Sequence, residues 1–360
     1  MTRVLVTGGA GFIGSTFVRH VLRRRLQWSV TVLDKLTYAG SLENLRGLDT
    51  NSRLRFVHGD IADRETVDEL FEDRFDLILN FAAETHVDRS IEGVEPFLRS
   101  DVRGVYALLE AALRRPPRRF IHISTDEVYG SAEHGAFDEN SPLRPSSPYA
   151  ACKAAADCLV RAYGITYGVP VIITRASNNY GPRQHPEKLI PRFTTQALRG
   201  LPLPLYGDGG NVRDWIHVRD HCRALLRVAE RGEVGGVYNI GANEERSNRQ
   251  IAEAILAELA LPRTLIQRVP DRPGHDRRYA LDASKLRALG WKPRIPFAAG
   301  LLATIAWYRG HRSWWRVARR RSGWLDGRAP RARRGAGRAR LTARVAAPPP
   351  DARAPSVDPE

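Results

Sequence analysis

The sequence predicts an α/β fold, a doubly wound parallel sheet followed by a smaller C-terminal α/β domain, on three observations. Short β-rich runs alternate with longer segments of helical period through the first half, as parallel strands joined by crossover helices require. Each run is nearly continuous in apolar residues, which suits a sheet covered on both faces. After Arg175 the alternation loosens into Gly- and Pro-rich connections with shorter elements, as a domain built largely of binding loops would.

Taken in order, the predicted strands are "RVLVTG", "SVTVLD", "LRFVHGD", "DLILNFAA", "RFIHISTD" and "VPVIITR". Segments such as "SIEGVEPFLRSDVRGVYALLEAALRR" between them carry apolar residues three and four apart, the period of an amphipathic helix. We divide the chain into a dinucleotide-binding unit, 1–177, that also holds the catalytic residues, a mainly substrate-binding unit, 178–315, and a tail, 316–360. The tail collapses to Arg, Ala, Gly and Pro, which cannot bury enough apolar surface to order itself, so we read it as disordered.

Composition narrows the function classes. The net charge of +16 suggests a nucleic-acid binder, but 12 Arg against 4 acids after Trp315 supply half of it. The core is therefore only mildly basic, and a run of Arg without interleaved aromatics argues for no nucleic-acid partner. Three cysteines, Cys152, Cys158 and Cys222, form neither a CxxC pair nor a metal-like spacing, so we expect no metal and a cytoplasmic home. Arg interrupts every long apolar stretch, and the first residues lack a leader-like apolar region, so no membrane is expected.

"VTGGAGFIG" sets Gly8, Gly9, Gly11 and Gly14 directly after the first strand and at the start of a helix. Glycines so spaced allow a tight turn, close approach of backbone to a pyrophosphate, and a helix N-terminus facing the anion, the Rossmann fingerprint. Asp34 ends the second strand twenty residues after Gly14, where a ribose hydroxyl acceptor belongs. A carboxylate there repels a 2′-phosphate, which favours NAD over NADP although Lys35 stands beside it. Asp60 and Ile61, after the third strand, could meet the adenine or simply cap a turn.

"SSPYAACKAAADCLVRAYG" reads as a helix with Tyr149 and Lys153 four residues apart on one face, so the ammonium can favour a phenolate base. In "STDEVYG", which closes the fifth strand, a solvated turn would by itself explain the acids Asp126 and Glu127. The fingerprint, Asp34, the hydroxyl-bearing strand end and Tyr149-x-x-x-Lys153 together resemble the extended short-chain dehydrogenase/reductase superfamily. "STDEVYG", "NFAAETHVDRSI", "SNNYGP", "PEKLIP", "YGDGGNVRDWIHV" and "DRPGHDRRYALDASKLRALGWKP" resemble, within it, the dTDP-glucose 4,6-dehydratases, from Thr2 to about Trp315.

That resemblance implies NAD-dependent oxidation at C4 of a dTDP-glucose, loss of water across C5 and C6, and reduction at C6, in deoxysugar biosynthesis. Tyr149 would be the base at C4 with Thr125 on the same oxygen and Lys153 beside them; Asp126 would be the acid at C6 and Glu127 the base at C5. Cofactor contacts implied are Gly8, Gly11, Phe12, Ile13, Gly14, Asp34, Lys35, Leu36, Thr37, Asp60, Ile61, Ala82, Ala83, Ser100 and Asn179, besides Tyr149 and Lys153. For the nucleotide sugar they are Glu84, Thr85, Asn178, Lys188, Leu189, Pro204, Tyr206, Arg213, Asn248, Arg272 and His275. A homodimer pairing the Tyr149 helix with the helix around 102–114 is also implied. The alternative is a 4,6-dehydratase or 4-epimerase acting on a UDP- or GDP-sugar, and an epimerase needs no acid pair after its hydroxyl. Three positions depart from the family pattern: Asp101 where Asn is usual, His185 where Phe is usual, and Arg219 where an acid is usual.

Overall fold

A computed structural model of the protein describes residues 1–323. Seven parallel strands build the main sheet: β1 (Thr2–Thr7), β2 (Trp28–Asp34), β3 (Leu54–His58), β4 (Leu77–Asn80), β5 (Arg119–Thr125), β6 (Val171–Ala176) and, further along the chain, β10 (Val237–Ile240). Their spatial order is β10-β6-β5-β4-β1-β2-β3, so β1 lies between β2 and β4 and the winding reverses there. Thr7 stands level with both Leu33 and Asn80, which brings the ends of these strands to one edge and opens a crevice at the switch point. This is the doubly wound Rossmann sheet the sequence predicts.

Successive residues of β1 serve opposite faces, with Val4 and Val6 in one apolar cluster and Leu5 in the other. That is why its run is apolar throughout. The crossovers carry α1 (Phe12–Arg24), α2 (Arg64–Leu70), α3 (Val87–Glu92), the short α4 (Glu95–Phe97), α5 (Gly104–Arg114) and α6 (Pro148–Tyr167), with a π-helical stretch, Leu98–Arg103, leading into α5.

The second half adds β7 (Asn178–Tyr180), α7 (Leu189–Ala197), β8 (Leu203–Tyr206), β9 (Val212–His217), α8 (Val218–Arg231), β11 (Glu245–Ser247), α9 (Asn248–Glu258), β12 (Ile266–Val269), α10 (Ser284–Ala288) and α11 (Phe297–Gly310). Two small sheets, β11-β9-β7 and β12-β8, carry the loops over the crevice. The chain does not part cleanly at 177, because β10 returns to the main sheet beside β6 and α8 packs against α1.

One expectation is corrected. The tail assigned from 316 begins instead as a helix, α12 (Arg312–Arg321), anchored by Trp315, which is only 2% exposed. Composition missed this because one buried indole, its Nε1 donating to the Tyr308 carbonyl at 2.9 Å, holds the helix down. His185 Nε2 lies 3.3 Å from the Ala318 carbonyl, and Arg89 donates to the Ser322 carbonyl. The rest of the predicted tail lies outside the described residues.

Candidate active site

Between β1 and α1 the chain turns through Gly8, whose φ of +66° is a left-handed conformation that suits glycine. A Cβ on Gly14 would stand 2.3 Å from the Gly8 carbonyl oxygen, so only hydrogen fits there. Helix α1 starts after Gly11 with no side-chain cap and no acid in its first turn, which leaves its amide N–H groups to an anion. Asp34 closes the far side, accepting from the Ala10 and Leu36 amides at 2.9 and 2.8 Å. Lys35 donates to Ser100 Oγ at 2.7 Å. The donor set and the glycine cradle fit a dinucleotide. Every cofactor residue expected from the sequence lines this cavity except Leu36, which has φ +51° and packs into the core behind it. Gly14→Ala is expected to destabilise the fold by about 1–3 kcal/mol through overpacking, lowering the melting temperature and abolishing dinucleotide retention on gel filtration.

The same cavity receives Thr125, Asp126, Glu127, Tyr149 and Lys153. Strand β5 runs into a 3₁₀ turn, Asp126–Tyr129, whose start is capped by Thr125 Oγ1 accepting from the Glu127 amide at 3.3 Å. Beneath it Tyr129 donates to Asn239 Oδ1, and Arg175 bridges Tyr129 to Asp157, each at 2.8–2.9 Å. The solvated-turn reading therefore fails: Asp126 is 3% exposed. Helix α6 is capped by Ser147, which accepts from the Ala150 amide, with Pro148 in its first turn. One turn on, Lys153 Nζ donates to the Ile123 carbonyl at 2.8 Å.

Burial, then the neighbouring Glu127, pushes the Asp126 carboxyl well above the usual range, so it holds a proton to give. Glu127 is also raised by burial, but Arg272, Arg213 and Lys188 pull it back toward the ionised form a base needs. The two adjacent acids thus divide into donor and acceptor. Tyr149 differs from the sequence expectation. Burial, with Glu127 and Asp101 nearby, raises the phenol well above its ordinary value, opposed by a hydrogen bond with Thr125. Burial lowers Lys153, while Asp101 and Asp157 hold its charge. Its ammonium is shared among other partners rather than spent on the phenol alone.

A second cavity continues from the first and contains Asn178, Lys188, Leu189, Pro204, Tyr206, Arg213, Asn248, Arg272 and His275, as expected for the substrate end. Asn178, Glu127 and Lys188 line both cavities, and Thr85 lines the first. Glu84 lines neither: its side chain turns to Lys35 at 3.6 Å and its amide donates to Asp101, so it is placed at the cofactor end and not against the sugar. Sequence reasoning also passed over Asp88, which receives Arg272 Nη1 and the Tyr206 hydroxyl at 3.0 Å each. Tyr279 was missed as well, and the Arg213 guanidinium lies 4.2 Å over its ring. Asp88 stands within a motif already singled out, but its partners are more than a hundred residues away and no local spacing announces them.

A family profile described as GDP-mannose 4,6 dehydratase matches residues 5–304. A dTDP-glucose 4,6-dehydratase of Streptomyces niveus is 53% identical over 318 residues, 87% of this chain and 94% of that protein. The low-salt glycan biosynthesis protein Agl12 of Haloferax volcanii is 55% identical over 307 residues, 85% of this chain and 98% of its own. Among solved structures, the dTDP-glucose 4,6-dehydratase DesIV of Streptomyces venezuelae, with NAD and TYD bound, superposes with a TM-score of 0.86 at 50% identity, covering 88% of this chain and all of that one. A UDP-glucose 4-epimerase of Thermus thermophilus with NAD reaches 0.79 at 35% identity, covering 86% and 100%.

Proposed function

The chain belongs to the dTDP-glucose 4,6-dehydratase family, and from that premise we propose that it converts dTDP-glucose to dTDP-4-keto-6-deoxyglucose with NAD as a recycled cofactor. The observation that carries the proposal is the pair of adjacent, unlike carboxyl groups lining the cavities: burial and then Glu127 push Asp126 well above the usual carboxylate range, while Arg272, Arg213 and Lys188 oppose the rise that burial imposes on Glu127. An epimerase has no use for that pair.

NAD, when bound, would supply hydride chemistry, accepting the C4 hydrogen as hydride and giving it back at C6. Tyr149, acting as its phenolate, removes the C4 hydroxyl proton while Thr125 steadies the same oxygen, and the resulting ketone acidifies the C5 hydrogen. Glu127 then takes the C5 proton, and Asp126 protonates the C6 hydroxyl so that it departs as water. After C6 is reduced, Glu127 returns its proton to C5. Tyr149 ends with one proton gained and Asp126 with one lost, so a single proton passed through solvent resets the site. The dinucleotide would be held by the Gly8–Gly14 turn, Asp34 and Lys153.

Arg272 and Arg213 are suited to the donor's diphosphate, and Asp88 keeps Arg272 aimed. Asp88→Asn is expected to raise KM for the donor about tenfold with kcat nearly unchanged, since a charge-assisted hydrogen bond contributes about 1.5–3 kcal/mol; steady-state kinetics checks it. We place a homodimer contact on α5 and α6, where Tyr106, Ile165 and Tyr167 are exposed. A cytoplasmic location suits the free thiols of Cys152, Cys158 and Cys222. No described helix is long and apolar enough to cross a membrane.

The deciding experiment incubates the protein, without added NAD, with dTDP-glucose and separately with UDP- and GDP-sugars, following alkali-induced absorbance of a ketosugar. Turnover of dTDP-glucose is the expected result. A ketosugar from no donor overturns the reading, and product from a UDP- or GDP-sugar alone transfers it to that donor.

A further inference from the structure

Asp101 sits in an unusual place. It belongs to the π-helical stretch Leu98–Arg103, a conformation often found beside functional sites. The side chain is 1% exposed and lines neither cavity. Oδ1 accepts the Glu84 amide at 2.8 Å, while Oδ2 is buried with no hydrogen-bond partner. A buried carboxylate oxygen left unpaired is costly, so this atom is suited to carry a proton for part of the time.

The π-helical stretch packs against α6, with Phe97 just before it edge-on to the Tyr149 ring at 6.2 Å, and the charged groups around Asp101 come from three elements. Lys153 acts on it from α6, Glu84 from the loop after β4, and Lys35 from the loop after β2. Tyr149 and Cys152, also on α6, feel its charge in turn. Lys153 is the pivot of this set, because Asp101 in its ionised form both favours the charged ammonium and raises the phenol it should assist.

Resting on the reaction assigned above, we propose that Asp101 is a positioning residue whose protonation decides how Lys153 is used. With the carboxyl protonated, the ammonium's field falls on Tyr149 and favours loss of the phenolic proton, so C4 proton transfer proceeds. With the carboxylate present, Asp101 offsets the ammonium's field and adds its own negative charge to the phenol's surroundings, so the transfer slows. Raising the pH removes the proton, and the first step is therefore held back on the alkaline side. Burial, opposed chiefly by Lys153 and the Glu84 amide, pushes the Asp101 carboxyl up to about 7, which sets the crossover near neutrality.

Asp101→Asn keeps an acceptor for the Glu84 amide and cannot ionise. In single-turnover measurements of reduced-cofactor absorbance from about pH 6 to about pH 9, the ratio of variant to wild-type rate is expected to rise about tenfold, the effect of one unit in the phenol's pKa. A ratio constant across that range overturns the proposal. An independent readout is the infrared C=O band of a protonated carboxyl, expected in the wild type on the acid side, lost through neutrality, and missing from an Asp101→Asn protein that melts as the wild type does. Its absence from the wild type also overturns the proposal. If no donor yields a ketosugar, the assigned reaction fails, whereas the infrared titration still reports on Asp101.

Discussion

Asp126→Asn combined with Glu127→Gln is expected to lower ketosugar formation by about 10³-fold or more while leaving C4 oxidation measurable. Each general acid or base contributes about 10²–10⁴ in rate, and the elimination asks for both at once: a proton off C5 and a proton onto a poor leaving group. The amides match the carboxyls in size, so the 3₁₀ turn and its buried support, Tyr129, Asn239 and Arg175, stay in place. Reduced-cofactor absorbance should therefore appear on adding dTDP-glucose and persist, because nothing downstream consumes it. Equal loss of both steps would return the two acids to a structural role.

Tyr149→Phe is expected to stop the sequence one stage earlier, by about 10²–10⁴-fold, with no reduced cofactor at any time. The variant keeps what positions the residue: the backbone amide hydrogen bond to Ser90 and the edge contact with Phe97, ring centroids 6.2 Å apart. Donor binding by calorimetry should be nearly unchanged and the melting temperature preserved. Stopped-flow absorbance separates this variant, silent from the start, from the double variant, which stalls after oxidation. If Tyr149→Phe still reduces the cofactor at the wild-type rate, another group is the base.

Why some of this was legible in the sequence and some was not follows from distance along the chain. The first six strands announce themselves because burial on both faces leaves continuous apolar runs. Likewise the glycine fingerprint and the Tyr149–Lys153 pair are local geometry, a turn and one helical repeat. The seventh strand of the sheet, β10, was read as part of another unit because its partner, β6, lies far back in the chain. Asp88 and Tyr279 escaped for the same reason, each mattering through an arginine that folding brings to it. The electrostatic setting of Tyr149 was hidden for a related reason. Helical spacing pairs it with Lys153, but the sum of burial and surrounding carboxyls decides the phenol's proton, and that sum exists only in three dimensions.

Glu127, Asn178 and Lys188 stand in the wall common to the two cavities. These shared residues give an occupant of one cavity a route by which to act on an occupant of the other. Whatever factor a bound dinucleotide applies to the donor's dissociation constant, the donor must apply the same factor to the dinucleotide's. For a cofactor that is oxidised and restored within one cycle, this reciprocity has a practical meaning: tight retention during turnover does not require equally tight retention between turnovers, because the sugar itself can supply part of the hold.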